Sequence, residues 1–144
     1  MGQHDPTRDA RMGAEGFREV STSEGVVRLP EIPVSELTIG EHLLIWRRRE
    51  GLTQKQAGPR LGMGRNAYQA IERQDTKCRL AVMPYIGTLY SHEICFILRR
   101  RSGWTIPQCA EQAGVSRYWY NLMEQGKASP DRLITYWGEN EGEQ

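Results

Sequence analysis

"RRREGLTQKQAGPRLGMGRNAYQAIERQ", residues 47–74, lies over "RRRSGWTIPQCAEQAGVSRYWYNLMEQG", residues 99–126, when the chain is shifted by 52 positions. Ten of the 28 pairs are identical: Arg47/Arg99, Arg48/Arg100, Arg49/Arg101, Gly51/Gly103, Thr53/Thr105, Gln56/Gln108, Gly62/Gly114, Arg65/Arg117, Tyr68/Tyr120 and Glu72/Glu124. The shared glycines and threonines are helix punctuation, so one local structure is written twice.

The signals on either side extend each copy. Thr38 and Glu41 form a T-x-x-E capping box, and Ile39, Leu43 and Trp46 are spaced to bury one helical face. This predicts a helix to about Arg49, stopped by Gly51. Thr53 caps a second helix, from Gln54 to about Leu61. Gly62 closes it, and a third helix follows from Arg65 to about Arg73. A connector with one further helical turn is expected over Thr76–Met83, broken by Pro84. The cycle then restarts with a helix from about Leu89 to Arg101, the Gly103 stop, the Thr105 cap, a helix to Ala113, the Gly114 turn, the Ser116 cap and a helix to Gln125. Ser129 and Pro130 open a last helix through about Trp137. Strand-like alternation is nearly absent, so the expected fold class is all-α. The expected domains are a flexible or extended arm (1–37), a first helical domain (38–83), a second (84–137) and an acidic tail (138–144). "GVVRLPEIPV", residues 25–34, carries two prolines and suits an extended arm.

Charge is segregated along the 144 residues despite a formal net charge of only +1. Residues 1–40 carry four Arg against seven acids, 41–75 seven bases against four, 76–133 eight bases against four, and 134–144 three acids. A basic centre between acidic ends suits a phosphate-bearing partner. No apolar run reaches the roughly 18–20 residues of a membrane span, and the N-terminal stretch lacks the apolar core of a secretion signal, so the expected location is the cytoplasm. Cys78, Cys95 and Cys109 fit neither a disulfide framework nor a zinc-knuckle spacing and read as reduced, mostly buried thiols. His4, His42 and His92 have no cluster of metal-ligating neighbours. "GPRLGMGRN", residues 58–66, follows no strand and lacks the Gly-Lys-Ser/Thr of a phosphate loop. No catalytic constellation assembles, so neither enzyme activity, a cofactor, a metal nor a small-molecule ligand is expected.

Two short helices joined by a three-residue turn containing Gly form a helix-turn-helix, whose second helix can enter a DNA major groove while the first braces it on the backbone. In the second copy Ala110 is small where the helices cross and Val115 is the buried turn residue. Tyr120 and Met123 face inward, and Arg117, Tyr118, Asn121 and Leu122 face out. Both copies resemble the Cro/CI (XRE-like) helix-turn-helix family of phage and bacterial repressors. The first copy matches through Arg47, Gly51, Thr53-Gln54, Gly58, Gly62-Met63-Gly64 and Glu72. The second matches through Arg99, Gly103, Thr105, Ala110, Gly114-Val115-Ser116 and Glu124-Gln125-Gly126. The resemblance covers Thr38 to Trp137.

That resemblance implies partly buried, orienting ion pairs Arg47–Glu72 and Arg99–Glu124. It implies base reading by Arg65, Asn66, Gln69 and Ala70 on a recognition helix at about 65–73, and by Arg117, Tyr118, Asn121 and Leu122 on one at about 117–125. Phosphate contacts are expected from Thr53, Gln54 and Thr105, and from Arg73 and Lys127 just past the recognition helices. The first copy departs from the family at Pro59, which predicts a kinked or shortened helix, and at Gly64, where Ser would cap. The second departs at Ile106 and Pro107. The function expected on this basis is sequence-specific binding of double-stranded DNA by a transcriptional regulator, a repressor of phage or mobile-element type, with a homodimer left open. Two alternatives stand beside it. One is a protein-interaction module, such as an antiactivator or antitoxin, using Tyr118, Trp119 and Leu122. The other is a DNA-binding protein of recombination, excision or packaging.

Overall fold

A computed structural model describes residues 16–73 and 83–140. The expectations for residues 1–15, for Cys78, for a helical turn within 76–82 and for the tail beyond 140 lie outside the described residues. The chain forms two compact units. One is Pro33–Leu89, and the other joins the chain before Pro33 to the chain after Leu89.

In the first unit a turn of 3-10 helix, Val34–Glu36, precedes α1, Ile39–Glu50. Glu41 N–H donates to Thr38 Oγ1 at 3.1 Å and Thr38 N–H donates back to Glu41 Oε1 at 3.0 Å, so the capping box is closed in both directions. Gly51, at φ 67°, ends the helix in the left-handed conformation that a side chain would resist. α2 spans Gln54–Arg60 behind a second box made by Thr53 and Gln56, and α3 spans Arg65–Glu72. Ile39, Leu43, Ala57 and Tyr68 form the buried core, with Trp46, Leu52, Leu61, Met63, Ile71 and Met83 packed around it.

Pro59 shortens α2 rather than breaking it. Its ring nitrogen cannot donate to the Lys55 carbonyl, and the helix closes with tight bonds from Leu61 N–H to the Gly58 carbonyl (2.9 Å) and Gly62 N–H to the Pro59 carbonyl (3.1 Å). A Cβ on Gly58 would sit 2.8 Å from the Met63 carbonyl oxygen, so glycine is needed where the turn crosses the helix.

Gly64 begins α3 in an extended conformation, with no side-chain cap and open space around its missing Cβ. Its counterpart Ser116 accepts from Trp119 N–H at 3.1 Å. Gly64→Ser is therefore expected to stabilise the first unit by about 0.5–1 kcal/mol, through a new cap and a less flexible unfolded chain. Urea unfolding checks this, and an unchanged or lowered midpoint would exclude a cap at this site.

In the second unit α4, α5 and α6 span Ser91–Ser102, Ile106–Ala113 and Arg117–Glu124, and α7 follows at Asp131–Trp137. The 52-residue shift carries α1 onto α4 and α3 onto α6 end to end, and Gly51 and Gly62 onto the left-handed Gly103 and Gly114.

The chain is mostly helical, in keeping with the all-α expectation, and carries a small sheet that was not expected. β1, Phe17–Thr22, and β2, Gly25–Pro30, form an antiparallel hairpin, and β3, Glu139–Asn140, adds a third strand beside β2. Part of the arm expected to be flexible or extended is thus an ordered hairpin of the second unit, and Glu139–Asn140, from the start of the expected acidic tail, pair beside it. Val27 and Leu29 are buried on one face of β2, and Pro30 is tolerated because it is the strand's last residue, opposite Phe17. The hairpin is fastened at both ends. Ser23 N–H donates to Asp131 Oδ2 (2.7 Å) and Arg132 to Glu24 (3.0 Å) at its turn, while Arg18 grips Glu31 with two bonds at its base.

The boundary expected at 83/84 also moves. Residues 84–89 belong to the first unit, where His42 Nε2–H donates to the Pro84 carbonyl (2.6 Å) and the Arg49 guanidinium donates to the Ile86 and Thr88 carbonyls. Among the described residues no helix is long and apolar enough to cross a membrane.

Gly138 joins α7 to β3 with ordinary extended angles, yet a Cβ there would lie 2.3 Å from Val27 Cγ1 and 2.8–2.9 Å from the carbonyl oxygens of Arg28 and Ile134. Two of those three atoms are backbone and cannot swing aside. Gly138→Ala is expected to destabilise the second unit by about 1–3 kcal/mol by overpacking. A thermal-melting midpoint equal to wild type would mean that α7 does not meet the sheet this closely.

Candidate nucleic-acid interface

Each unit presents one helix whose inner face is locked and whose outer face is open. In the first, Arg47 Nε donates to Glu72 Oε2 (2.7 Å), its Nη2 to Oε1 (3.3 Å) and its Nη1 to the Leu52 carbonyl (3.1 Å). In the second, Arg99 repeats this on Glu124 (2.7 and 2.8 Å) and on the Trp104 carbonyl (3.1 Å). One guanidinium thus ties the end of the third helix to the loop that starts the second. Tyr68 and Tyr120 are fully buried beside these pairs. The Tyr68 hydroxyl reaches the Leu43 carbonyl (3.4 Å), and that of Tyr120 accepts from Trp137 Nε1–H (2.9 Å).

Burial by itself would raise the Glu72 carboxyl, but hydrogen bonds from Arg47, Gln54 and Tyr68 together with the Arg47 charge outweigh it, so Glu72 titrates below the ordinary range. Burial opposes the charge on Arg99, and Glu124 more than compensates. Burial first, then the neighbouring carboxylates, push both tyrosine hydroxyls far above their usual range. Burial likewise raises the Cys95 and Cys109 thiols, which leaves them unreactive at neutral pH.

Around these anchors α3 leaves Arg65, Asn66 and Ala70 exposed and Gln69 half-buried, while α6 leaves Arg117, Tyr118, Trp119 and Asn121 exposed and Leu122 half-buried. Arg73 and Lys127 are exposed just past the two helices. The residues expected to read bases therefore share one helix face in each unit.

The backbone-contact expectations fare unevenly. The N–H groups of Thr53 and Thr105 are each taken by their own capping box, through Gln56 Oε1 and Gln108 Oε1 at 2.9 Å, and their hydroxyls accept the Gln56 and Gln108 N–H groups in return, that of Thr105 also donating to Gln108 Oε1 (3.0 Å). Gln54 is engaged at both ends, donating to Glu72 (2.9 Å) and accepting from Gln69 Nε2 (3.0 Å). That bridge fixes how Gln69 lies on α3. Ile106 stands at the Gln54 position in the second unit and cannot make it; Asn121 accepts from Gln125 on its own helix instead (3.1 Å). Lys55, missed in the sequence, lines an open groove with Arg47, Thr53, Gln54 and Arg65. A basic residue in the first turn of the bracing helix was its only signal.

The aromatic residues divide as their spacing suggests. Trp137 is buried, Trp46, Trp104 and Tyr136 are half-buried, and Tyr136 donates to Gln112 (2.7 Å). Tyr118 and Trp119 on α6 are 68% and 53% exposed and edge to face at 5.8 Å, and Tyr85 and Tyr90 are exposed as well. No three His, Cys, Asp or Glu side chains converge among the described residues.

No protein-family model, curated protein or solved structure matches the chain.

Proposed function

We propose that the chain is a sequence-specific double-stranded DNA-binding protein built from two tandem helix-turn-helix domains, with α3 and α6 as the recognition helices. The observation that carries this reading is the repetition, 52 residues apart, of an Arg–Glu-anchored helix whose outward side chains are polar, basic or aromatic. Arg65 suits guanine O6 and N7, and Asn66 and Gln69 suit adenine. The basic centre of the chain suits the phosphates on either side. The regulatory role that fits is a repressor of phage or mobile-element type, acting by occupying its site.

Selection of bound duplexes from a random pool, followed by gel shifts over a salt series, tests the proposal. With about five to eight phosphates engaged, log K should fall against log salt with a slope of roughly −4 to −7. A flat salt response would exclude the DNA reading and favour a protein partner on Tyr118, Trp119 and Leu122.

A further inference from the structure

We infer that the second unit reads thymine, through its 5-methyl group, where the first reads guanine and adenine through hydrogen bonds; the inference rests on the DNA-binding reading above. The repeat register puts Tyr118 where the first unit has Asn66, Trp119 where it has Ala67 and Leu122 where it has Ala70. Asn66 is thereby replaced on α6 by an aromatic ring and Ala67 and Ala70 by larger apolar side chains, while Asn121 keeps an amide at the Gln69 position. Three features favour a DNA groove over a protein as its occupant. Arg117 and Lys127, both exposed, lie at the start of α6 and just beyond its end. The one acid on that helix, Glu124, is buried and neutralised by Arg99, so α6 shows no negative charge to solvent. The Arg99–Glu124 anchor repeats the Arg47–Glu72 geometry, so α6 presents its outer face in the same orientation to its own bracing helix.

In a major groove the bulkiest apolar feature that a base offers is the thymine 5-methyl group, which stands where cytosine has only a C5 hydrogen. Tyr118 and Leu122 are one turn apart on α6 and fit methyls on neighbouring base pairs, and Trp119 packs edge to face against Tyr118 and holds it. The site is therefore expected to have two unlike parts, one rich in guanine and adenine contacts and one in thymine.

The test uses the full chain with duplexes recovered from a random pool, resynthesised with uracil in place of thymine in one part at a time. Uracil in the thymine-rich part should weaken binding about fourfold per contacted methyl, the transfer worth of one buried carbon group. Uracil in the other part should change little. Tyr118→Ser/Leu122→Ser, at outward-facing positions, should remove the sensitivity while leaving the melting temperature near wild type. Equal binding of thymine and uracil duplexes overturns the inference and leaves DNA binding standing. Failure to enrich any duplex overturns both.

Discussion

Arg99→Ala is expected to lower the unfolding free energy of the second unit by about 3–5 kcal/mol, because it removes the guanidinium that compensates a carboxylate folding has taken out of water. The Glu124 side chain is 2% exposed and that of Arg99 is 14% exposed, so water cannot replace the lost partner without opening the unit. The same change in the first unit, Arg47→Ala, should cost less. The Glu72 side chain is 8% exposed and that of Arg47 20%, so water reaches this pair more readily. Replacing both charges of the second pair, as in Arg99→Met/Glu124→Leu, should be milder than Arg99→Ala, since no uncompensated charge remains. Urea unfolding of the full chain followed by far-UV circular dichroism measures all three. A loss below about 1 kcal/mol for Arg99→Ala is what an exposed ion pair gives, and would mean that this pair does not hold α6 in place.

The pair was implied by the family resemblance, and the helices that frame it were legible because they rest on local spacing. Arg47 and Glu72 are 25 residues apart, as are Arg99 and Glu124, and the helices between them are bounded by Thr53, Gly62, Thr105, Gly114 and Ser116, whose side chains or lack of them act within one turn. The elements that went unread depend on distant partners. "FREVST" has only a half-buried inner face, and it becomes a strand because β2 pairs with it and α7 packs on the sheet more than 100 residues later. The unit boundary escaped for the same reason, since Arg49 collects the Ile86 and Thr88 carbonyls across nearly 40 residues. At the candidate site the exposed positions followed from helical spacing around buried Tyr68 and Tyr120. The Gln54–Gln69 bridge did not, because it needs the angle between α2 and α3, which no local pattern specifies.

Footprints of two double variants should separate what the two units do. Arg65→Ala/Asn66→Ala and Arg117→Ala/Asn121→Ala each remove two outward side chains from one proposed recognition helix, α3 or α6, and leave its Arg–Glu anchor intact, so folding should survive both. At about 1–3 kcal/mol for each lost base contact, either pair should weaken specific binding by roughly 2–6 kcal/mol, from tens-fold to more than ten-thousand-fold. Each should erase a different part of the footprint, because Arg65-Asn66-Gln69 and Arg117-Tyr118-Asn121 present different chemistry. Repressors that assemble a symmetric dimer read two like half-sites about 34 Å apart, and their operators are palindromes. One polypeptide carrying two unlike recognition helices should instead protect an asymmetric site as a monomer, and an inverted repeat of that composite site as a dimer. If the Arg117→Ala/Asn121→Ala footprint and affinity equal wild type, the second unit does not read DNA. A short palindrome read by the first unit alone then remains, and the surface made by exposed Tyr118 and Trp119 with half-buried Leu122 becomes the place to look for a second subunit or a partner protein.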